Sequence, residues 1–174
     1  DFGLPDLPSA LGQDFEAADE AAADPQSNYG KMTLRRADTI LPGLTSRLEA
    51  GGVMVRDKEP TPDNLHQGGI GDCWLIAGMA TVCEQNDGGL IRAVFLHADH
   101  EKGIYALKIH INGRPRVVFV DDYLPTYVND PEALSNERGV NNTQVAFCGL
   151  QRPEYFWCCL IEKAYAKLVG SYEH

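Results

Sequence analysis

The chain has 174 residues and a formal net charge of −10 at pH 7, which suits one domain, or one domain with a tail. This acidic balance argues against nucleic acid or an anionic membrane as the main partner. No apolar run is long enough to span a bilayer, and the N-terminus has neither the basic start nor the apolar core of a signal peptide. We therefore expect no transmembrane segment.

The negative charge is concentrated at the N-terminus. Residues 1–30 hold seven acidic residues and no Lys or Arg. Their composition, rich in Asp, Ala, Gly, Pro and Ser, predicts a flexible or loosely docked extension. Residues 31–53 bring basic side chains and scattered leucines, which indicates a connecting segment wrapped over a core.

The most informative stretch is a glycine-rich loop, residues 67–72, that leads into the apolar residues 73–85. The apolar part predicts a helix that is buried on most sides, with Asp72 capping its first turn. Cys73 is then the first residue of the helix, where unpaired N–H groups and the helix dipole favour a thiolate. We predict that Cys73 is a nucleophile.

A cysteine that attacks a carbonyl group also needs a base and donors for the oxyanion. The N–H of Cys73 supplies one donor, and the side-chain amide of Gln67 is predicted to fold back and supply a second. Gly71 and the neighbouring glycines let the loop turn tightly and leave room for a substrate. Trp74 is expected to shield the thiol and anchor the helix. Gly71 and Trp74 are therefore the predicted residues of the substrate cleft.

A β-hairpin is predicted in the middle of the chain. Residues 104–112 alternate between apolar and polar side chains, and residues 117–120 return as the partner strand. Asn112-Gly113 between them is the preferred dipeptide of a type I′ turn. The acids and the proline of residues 121–125 are expected to stop the ladder. The two acids are expected to cap or form ion pairs at the edge of the core.

The clearest helix is predicted over residues 153–169. Apolar side chains recur at i, i+3, i+4, i+7, i+8 and i+11 from Trp157, which forms one continuous stripe. Glu162 and Lys163 fall off that stripe. A second, weaker helix is predicted over residues 89–96. Together with the hairpin, these helices indicate an α+β fold.

Three ordered motifs resemble those of one protease family. Residues 67–77 (QGGIGDCWLIA) are similar to the active-site segment of the calpains, which are papain-like intracellular cysteine proteases. Residues 118–125 (VFVDDYLP) resemble the calpain strand that ends in a double aspartate and a proline. Residues 156–173 resemble the long helix that closes the first half of the protease core. The resemblance covers residues 54–173.

The resemblance implies a papain-like fold, with residues 54–173 as the first protease-core subdomain, mainly helical and carrying a β-hairpin. It implies a hydrolase that performs limited proteolysis of protein substrates, with Cys73 as the nucleophile and Gln67 in the oxyanion hole. The family's base histidine and orienting asparagine lie in a second subdomain, and no residue here matches them. We therefore expect the chain to need that second subdomain as a partner and to be inactive alone.

The resemblance also implies a calcium cofactor, because calpains bind calcium within each protease-core subdomain. The ligands in this subdomain are backbone carbonyls, an aspartate before the active-site loop and a glutamate before the closing helix. Oxygen ligands of this kind suit a hard cation. Asp63 and Glu154 are the best matches, and each is displaced by one position from the family pattern. The alternative is that both are surface carboxylates.

The remaining four cysteines are predicted to be small buried hydrophobic residues rather than a zinc site. They are Cys83, Cys148, Cys158 and Cys159. The last two are helical neighbours about 100° apart, which argues against a shared metal ion. An odd cysteine count without a CxxC spacing favours reduced thiols, and hence a cytoplasmic location.

Two other functions stay open. The displaced calcium carboxylates and the acidic extension leave room for a calpain-like regulatory or scaffold module without protease activity. A redox-responsive thiol domain is suggested only by the five cysteines. The presence of both Cys73 and Gln67 favours the enzyme.

Overall fold

The computed structural model describes residues 32–65, 67, 72–128, 143–145, 148 and 152–170. The predicted acidic extension, residues 1–30, lies outside these described residues. No helix within the described ranges is long and apolar enough to cross a membrane.

The described part of the chain is an α+β structure, as predicted. The helices are α1 (Ala37–Ile40), α2 (Leu44–Arg47), α3 (Cys73–Cys83), α4 (Gly89–Arg92) and α5 (Phe156–Val169). The strands are β1 (Met32–Arg36), β2 (Phe95–Asp99), β3 (Ile104–Ile111), β4 (Arg114–Asp121), β5 (Tyr123–Val128) and β6 (Thr143–Val145). They form two antiparallel three-stranded sheets, in the orders β2-β3-β4 and β1-β5-β6. The β structure is therefore more extensive than the single hairpin that was expected.

The predicted hairpin is formed by β3 and β4. Asn112 and Gly113 at its turn both have positive φ angles, 52° and 73°, as a type I′ turn requires. Tyr105 and Leu107 on β3 are fully buried, whereas Lys108 is exposed. The alternation in the sequence therefore predicted both the register of the turn and the buried face.

The ladder between β3 and β4 ends at Asp121, as predicted, but the chain continues into a second sheet that was not predicted. β5 begins directly after β4 and pairs with β1, which places Leu34 opposite Pro125. β6 pairs with β5 only from Thr126 onward, so the proline lies where β5 has one hydrogen-bonded neighbour. Because proline lacks the N–H that a second neighbour would use, this register accommodates it.

The double aspartate between β4 and β5 is held by a basic side chain on each side. The Arg36 guanidinium donates to both carboxylate oxygens of Asp122, at 3.0 and 3.1 Å. Lys163 of α5 forms an ion pair with Asp121. Gly103 lies against the first pair with a φ of 67°, and a Cβ there would lie 2.5 Å from Asp122 Oδ1. The predicted ion pairs are confirmed, and the position of Gly103 requires glycine.

The hydrophobic core is centred on α5, not on the Cys73 helix. Phe156, Trp157 and Leu160 are almost completely buried. The ring of Tyr105 from β3 meets Phe156 edge-on, with a centroid separation of 5.5 Å. The stripe predicted from the sequence is therefore confirmed as the main packing surface.

Glu162 and Lys163 lie off the apolar stripe, yet both side chains are buried. Each has a polar partner that the helical periodicity does not reveal. The Lys163 ammonium donates to the Tyr123 carbonyl oxygen at 2.6 Å, and the Cys148 N–H donates to the Glu162 carboxylate. Hydrogen bonds and ion pairs of this kind offset the free-energy cost of burying polar or charged groups in a core.

The segment before the active-site loop packs into the same core. Ala37, Ile40, Leu44 and Leu48 are buried, so this segment contributes side chains to the core. The helix predicted over residues 89–96 is shorter than expected, because α4 ends at Arg92 and β2 begins at Phe95.

Candidate active site

The structure places Cys73 as the first residue of α3. All five cysteines are described, none forms a disulfide, and Cys73 alone is exposed. The N–H groups of a helix's first turn have no preceding helical carbonyl to bind. A thiolate and an oxyanion are both stabilised by such donors. The position thus suits a nucleophile that is open to a substrate.

Asp72 precedes the nucleophile but does not cap the helix as predicted. Its side chain makes no capping hydrogen bond, while its carbonyl oxygen accepts bonds from the N–H groups of Leu75 and Ile76 at 2.8 and 3.2 Å. Both carboxylate oxygens are buried, and neither accepts a hydrogen bond from an N–H group or an alcohol hydroxyl of the described residues. The side chain therefore points inward, away from the first-turn N–H groups.

Glu162 of α5 supplies the partner that Asp72 needs. Glu162 is 4% exposed, and its two oxygens accept the Cys148 N–H at 3.1 and 2.9 Å. Burial, and next the hydrogen bond with Asp72, raise the pKa of Glu162 to about 10. Two neighbouring buried carboxyl groups do not both ionise, so at neutral pH Glu162 is protonated and donates to Asp72. This bond ties the start of α3 to the core helix and removes one negative charge from beside Cys73.

Sequence reasoning missed Glu162. Helical spacing placed it off the apolar stripe, and its role depends on Asp72 and Cys148, which are distant in the chain. No signal in the composition or the local pattern distinguishes it from a surface glutamate.

Trp74 anchors the start of α3 but does not enclose the thiol. Its side chain is 52% exposed, and its ring meets Tyr165 of α5 edge-on at a centroid separation of 5.1 Å. Gln67 is exposed, and its approach to Cys73 stays a prediction. Gly71 lies outside the described residues.

The apolar surface of α3 is largely uncovered, which contradicts the prediction of a helix buried on most sides. Met79 and Cys83 are its buried residues, whereas Trp74, Ala77 and Gly78 are exposed. A helix that is apolar nearly all round is normally enclosed. The exposed apolar side of α3 beside Cys73 is therefore a surface suited to packing against another protein segment.

Three of the five histidines, His97, His100 and His110, lie among the described residues. His97 and His110 lie on the strands β2 and β3. The ring of His100 is engaged by the Tyr105 hydroxyl at 3.2 Å and the Gly52 carbonyl oxygen at 2.8 Å. His66 and His174 lie outside the described residues. The origin of the base therefore stays a prediction.

The two predicted calcium ligands lie in short 3₁₀ turns. Asp63 is exposed in the turn Pro62–Asn64, and Glu154 is half-buried in the turn Pro153–Tyr155. Neither belongs to a group of three carboxylate, imidazole or thiol ligand atoms within the described part of the chain. Two carboxylates suit calcium only if backbone carbonyls complete the shell.

Comparison with known protein families identifies the class to which this site belongs. The sequence model described as calpain family cysteine protease matches residues 13–174. The chain therefore belongs to the calpain family of cysteine proteases.

Individual relatives support this assignment. The chain is 36% identical to Calpain-8 of Mus musculus over 116 residues, which are 65% of this chain and 14% of the mouse protein. It is 32% identical to Calpain-A of Drosophila melanogaster over 151 residues, 86% of this chain and 16% of that protein. It is 30% identical to the calpain-type cysteine protease DEK1 of Arabidopsis thaliana over 115 residues, 66% of this chain and 5% of that protein. The chain thus spans a small fraction of the length of the relatives it matches.

Proposed function

We propose that this chain is the nucleophile-bearing half of a calpain-type intracellular cysteine endopeptidase that performs limited proteolysis. In this proposal residues 54–173 form the first subdomain of a papain-like protease core. Residues 31–53 connect to it, and residues 1–30 form an acidic extension. The five reduced cysteines favour a cytoplasmic location.

The proposed reaction divides its chemistry between two subdomains. The Cys73 thiol gives its proton to a histidine of the second subdomain, and Sγ attacks the carbonyl carbon of the scissile peptide. The Cys73 N–H and the Gln67 amide donate to the oxyanion. The amine leaves with the proton from the histidine, and water then hydrolyses the acyl-enzyme. Gly71 and Trp74 line this side of the substrate cleft.

The observation that carries the proposal is the exposed Cys73 thiol at the start of an apolar helix with an uncovered side. Cys73 and Trp74 are both exposed, although the rest of the site is tied to the core through Glu162. A nucleophile displayed on one wall is what a cleft between two subdomains requires. The second wall would cover the apolar side of α3 and bring the base.

A chimeric enzyme tests this function. Residues 54–173 would continue into the second protease-core subdomain of a calpain that carries the base histidine and its asparagine. We expect hydrolysis of a fluorogenic peptide, reduced about 10³-fold or more by Cys73→Ser and about 10²-fold or more by Gln67→Ala. Cys83→Ser is the matched control, because it makes the same chemical change at a buried position and should leave the rate within about twofold.

The contrary result is a chimera that unfolds cooperatively yet hydrolyses the peptide no faster than its Cys73→Ser variant. That result would support the alternative function, a calpain-like regulatory or scaffold module without protease activity.

Calcium is the proposed cofactor of this subdomain. Asp63 and Glu154 would each supply one carboxylate, and backbone carbonyls would supply the rest of the shell. The ion would join the approach to the active-site loop to the chain just before α5. Its role in this half is to hold those two segments, and it takes no part in the chemical steps.

Calorimetric titration of the chain with Ca²⁺ tests this assignment. We expect binding to one site, weakened about tenfold or more by Asp63→Ala or Glu154→Ala, because the count of charged ligands sets calcium affinity. Glu101→Ala, at an exposed acid outside the site, should change nothing. Equal heats from all four proteins would show that Asp63 and Glu154 are surface carboxylates.

A further inference from the structure

Three buried thiols converge at the N-terminal end of α5. The Sγ atoms of Cys148, Cys158 and Cys159 all lie within 4.8 Å of one another. Their residues are 0%, 0% and 1% exposed. Within the described part of the chain this is the one group of three or more His, Cys, Asp and Glu side chains with such an arrangement.

The prediction that the side chains of Cys158 and Cys159 diverge is wrong. Helical side chains tilt toward the N-terminus of their helix, and both sulfurs reach the same carbonyl there. Cys158 Sγ lies 2.7 Å and Cys159 Sγ 3.4 Å from the Tyr155 oxygen. Cys159 Sγ also lies 3.0 Å from the carbonyl oxygen of Cys148. The third thiol therefore comes from the chain after β6 and meets the other two.

The three sulfurs lie close enough together to be ligands of one ion. Cys148 Sγ lies 2.6 Å from Cys158 Sγ. Non-bonded heavy atoms keep apart by roughly 3.5–4.0 Å, and a disulfide bond is about 2.0 Å long. Three thiolates around one zinc ion, at about 2.3 Å each, lie roughly 3.8–4.0 Å apart. The 4.8 Å limit of the cluster admits this spacing, and binding of a common ion would widen the Cys148–Cys158 separation from 2.6 Å.

The positive charge of a metal ion would balance the negative charge of thiolates in this buried cluster. Cys148, Cys158 and Cys159 are buried almost completely, and a buried negative charge is disfavoured unless it is paired or bound to a metal. A bound metal ion supplies the compensating positive charge and deprotonates its thiol ligands. Because such sites assemble as the chain folds, burial is no obstacle to loading.

We propose that Cys148, Cys158 and Cys159 form a structural site for a soft, thiophilic metal ion of the zinc type, separate from the calcium ligands and from Cys73. Soft thiolate ligands select such ions over calcium or magnesium. Binding replaces three S–H protons by three metal–sulfur bonds and releases three protons. A disulfide between Cys148 and Cys158 is the competing state. It requires a two-electron oxidant such as a peroxide, and it leaves the third converging thiol without a role.

The site would stabilise the support of the nucleophile. The N–H of Cys148 donates to Glu162, and Glu162 bonds to Asp72 beside Cys73. A metal ion that joins Cys148 to α5 would therefore fix the N–H donor from which Glu162 accepts.

Titration of the reduced 174-residue chain with Cd²⁺ and Zn²⁺ tests the proposal. We expect one ion per chain in the mass spectrum under native conditions, and thiolate-to-cadmium charge-transfer absorption in the ultraviolet. Cys148→Ser and Cys159→Ser should each lower the affinity at least about tenfold. Cys83→Ser and Cys73→Ser, each with the same exchange outside the cluster, should retain both signals.

Alkylation of the unsubstituted chain gives a second readout that does not depend on variants folding. In urea just below the unfolding transition, bound Cd²⁺ should slow the labelling of the three cluster cysteines and leave Cys83 unaffected. The proposal is overturned if Cd²⁺ protects Cys73 alone, if no thiolate absorption appears, or if the chain in air forms a Cys148–Cys158 disulfide in preference to binding metal.

Discussion

Replacing Glu162 with glutamine is expected to remove a large pH dependence of stability. The pKa of Glu162 is raised from 4.5 to about 10 in the folded chain. Between these values the folded state holds one proton more than the unfolded state, so stability falls as pH rises through this window. The benefit of the protonated group is complete below pH 4.5 and is lost progressively toward pH 10. A single such group contributes a slope of about 1.4 kcal/mol per pH unit.

Urea unfolding at pH 6, 7 and 8 measures this slope. Between pH 6 and 8 the free energy of unfolding of the unsubstituted chain should fall by up to about 3 kcal/mol more than that of Glu162→Gln. Lys163, whose pKa burial lowers, titrates in both proteins and cancels in the comparison. Glutamine keeps a donor for Asp72 and an acceptor for the Cys148 N–H. Glu101→Gln, at an exposed acid, should keep the original slope, and parallel curves for all three proteins would contradict the buried proton.

The second large effect is expected at the corner between β4 and β5. Asp122→Ala should lower the free energy of unfolding by about 2–3 kcal/mol, because Arg36 loses a carboxylate that is itself 2% exposed. The loss is smaller than for a fully buried pair, since the Arg36 side chain is 37% exposed.

Asp99→Ala is the matched control for this substitution. Its ion pair with Lys102 is equally short, 2.8 Å against 3.0 Å, but the lysine is 72% exposed. Exposed pairs contribute about 0–1 kcal/mol, so the two variants should differ by about 2 kcal/mol in urea denaturation. Equal losses of unfolding free energy would mean that burial of the Asp122 carboxylate does not determine how much its ion pair contributes to stability.

Local pattern carried enough information to predict the parts of the fold in which neighbours in sequence are neighbours in space. The apolar stripe from Trp157, the turn at Asn112-Gly113 and the start of α3 at Cys73 all follow from residues within one or two turns of each other. The strand β5 did not follow, because a proline is tolerated there only through the register of β1 and β6. That register depends on residues far apart in the chain.

For the candidate site, too, only the features that depend on neighbouring residues could be predicted from the sequence. Cys73 followed from its glycine-rich loop and helix start, and its exposure agrees with that role. The buried positions of Glu162 and the convergence of Cys148 with the two helical cysteines depend on tertiary contacts alone. The exposed side of α3 could not be predicted either, because a helix that is apolar on all sides has the same sequence pattern whether or not it is covered.

The central claim, that this fold activates Cys73 as a nucleophile, is tested most directly by its alkylation rate in the folded chain against the urea-unfolded chain at pH 7. Access to Cys73 is greatest in the unfolded chain, so a higher folded rate reports chemistry rather than exposure. A helix N-terminus stabilises a nearby anion by about 0.3–1 kcal/mol, which predicts iodoacetamide labelling about two- to fivefold faster in the folded chain. Glutathione in the same urea corrects for the solvent. A folded rate equal to or below the unfolded rate would contradict the claim.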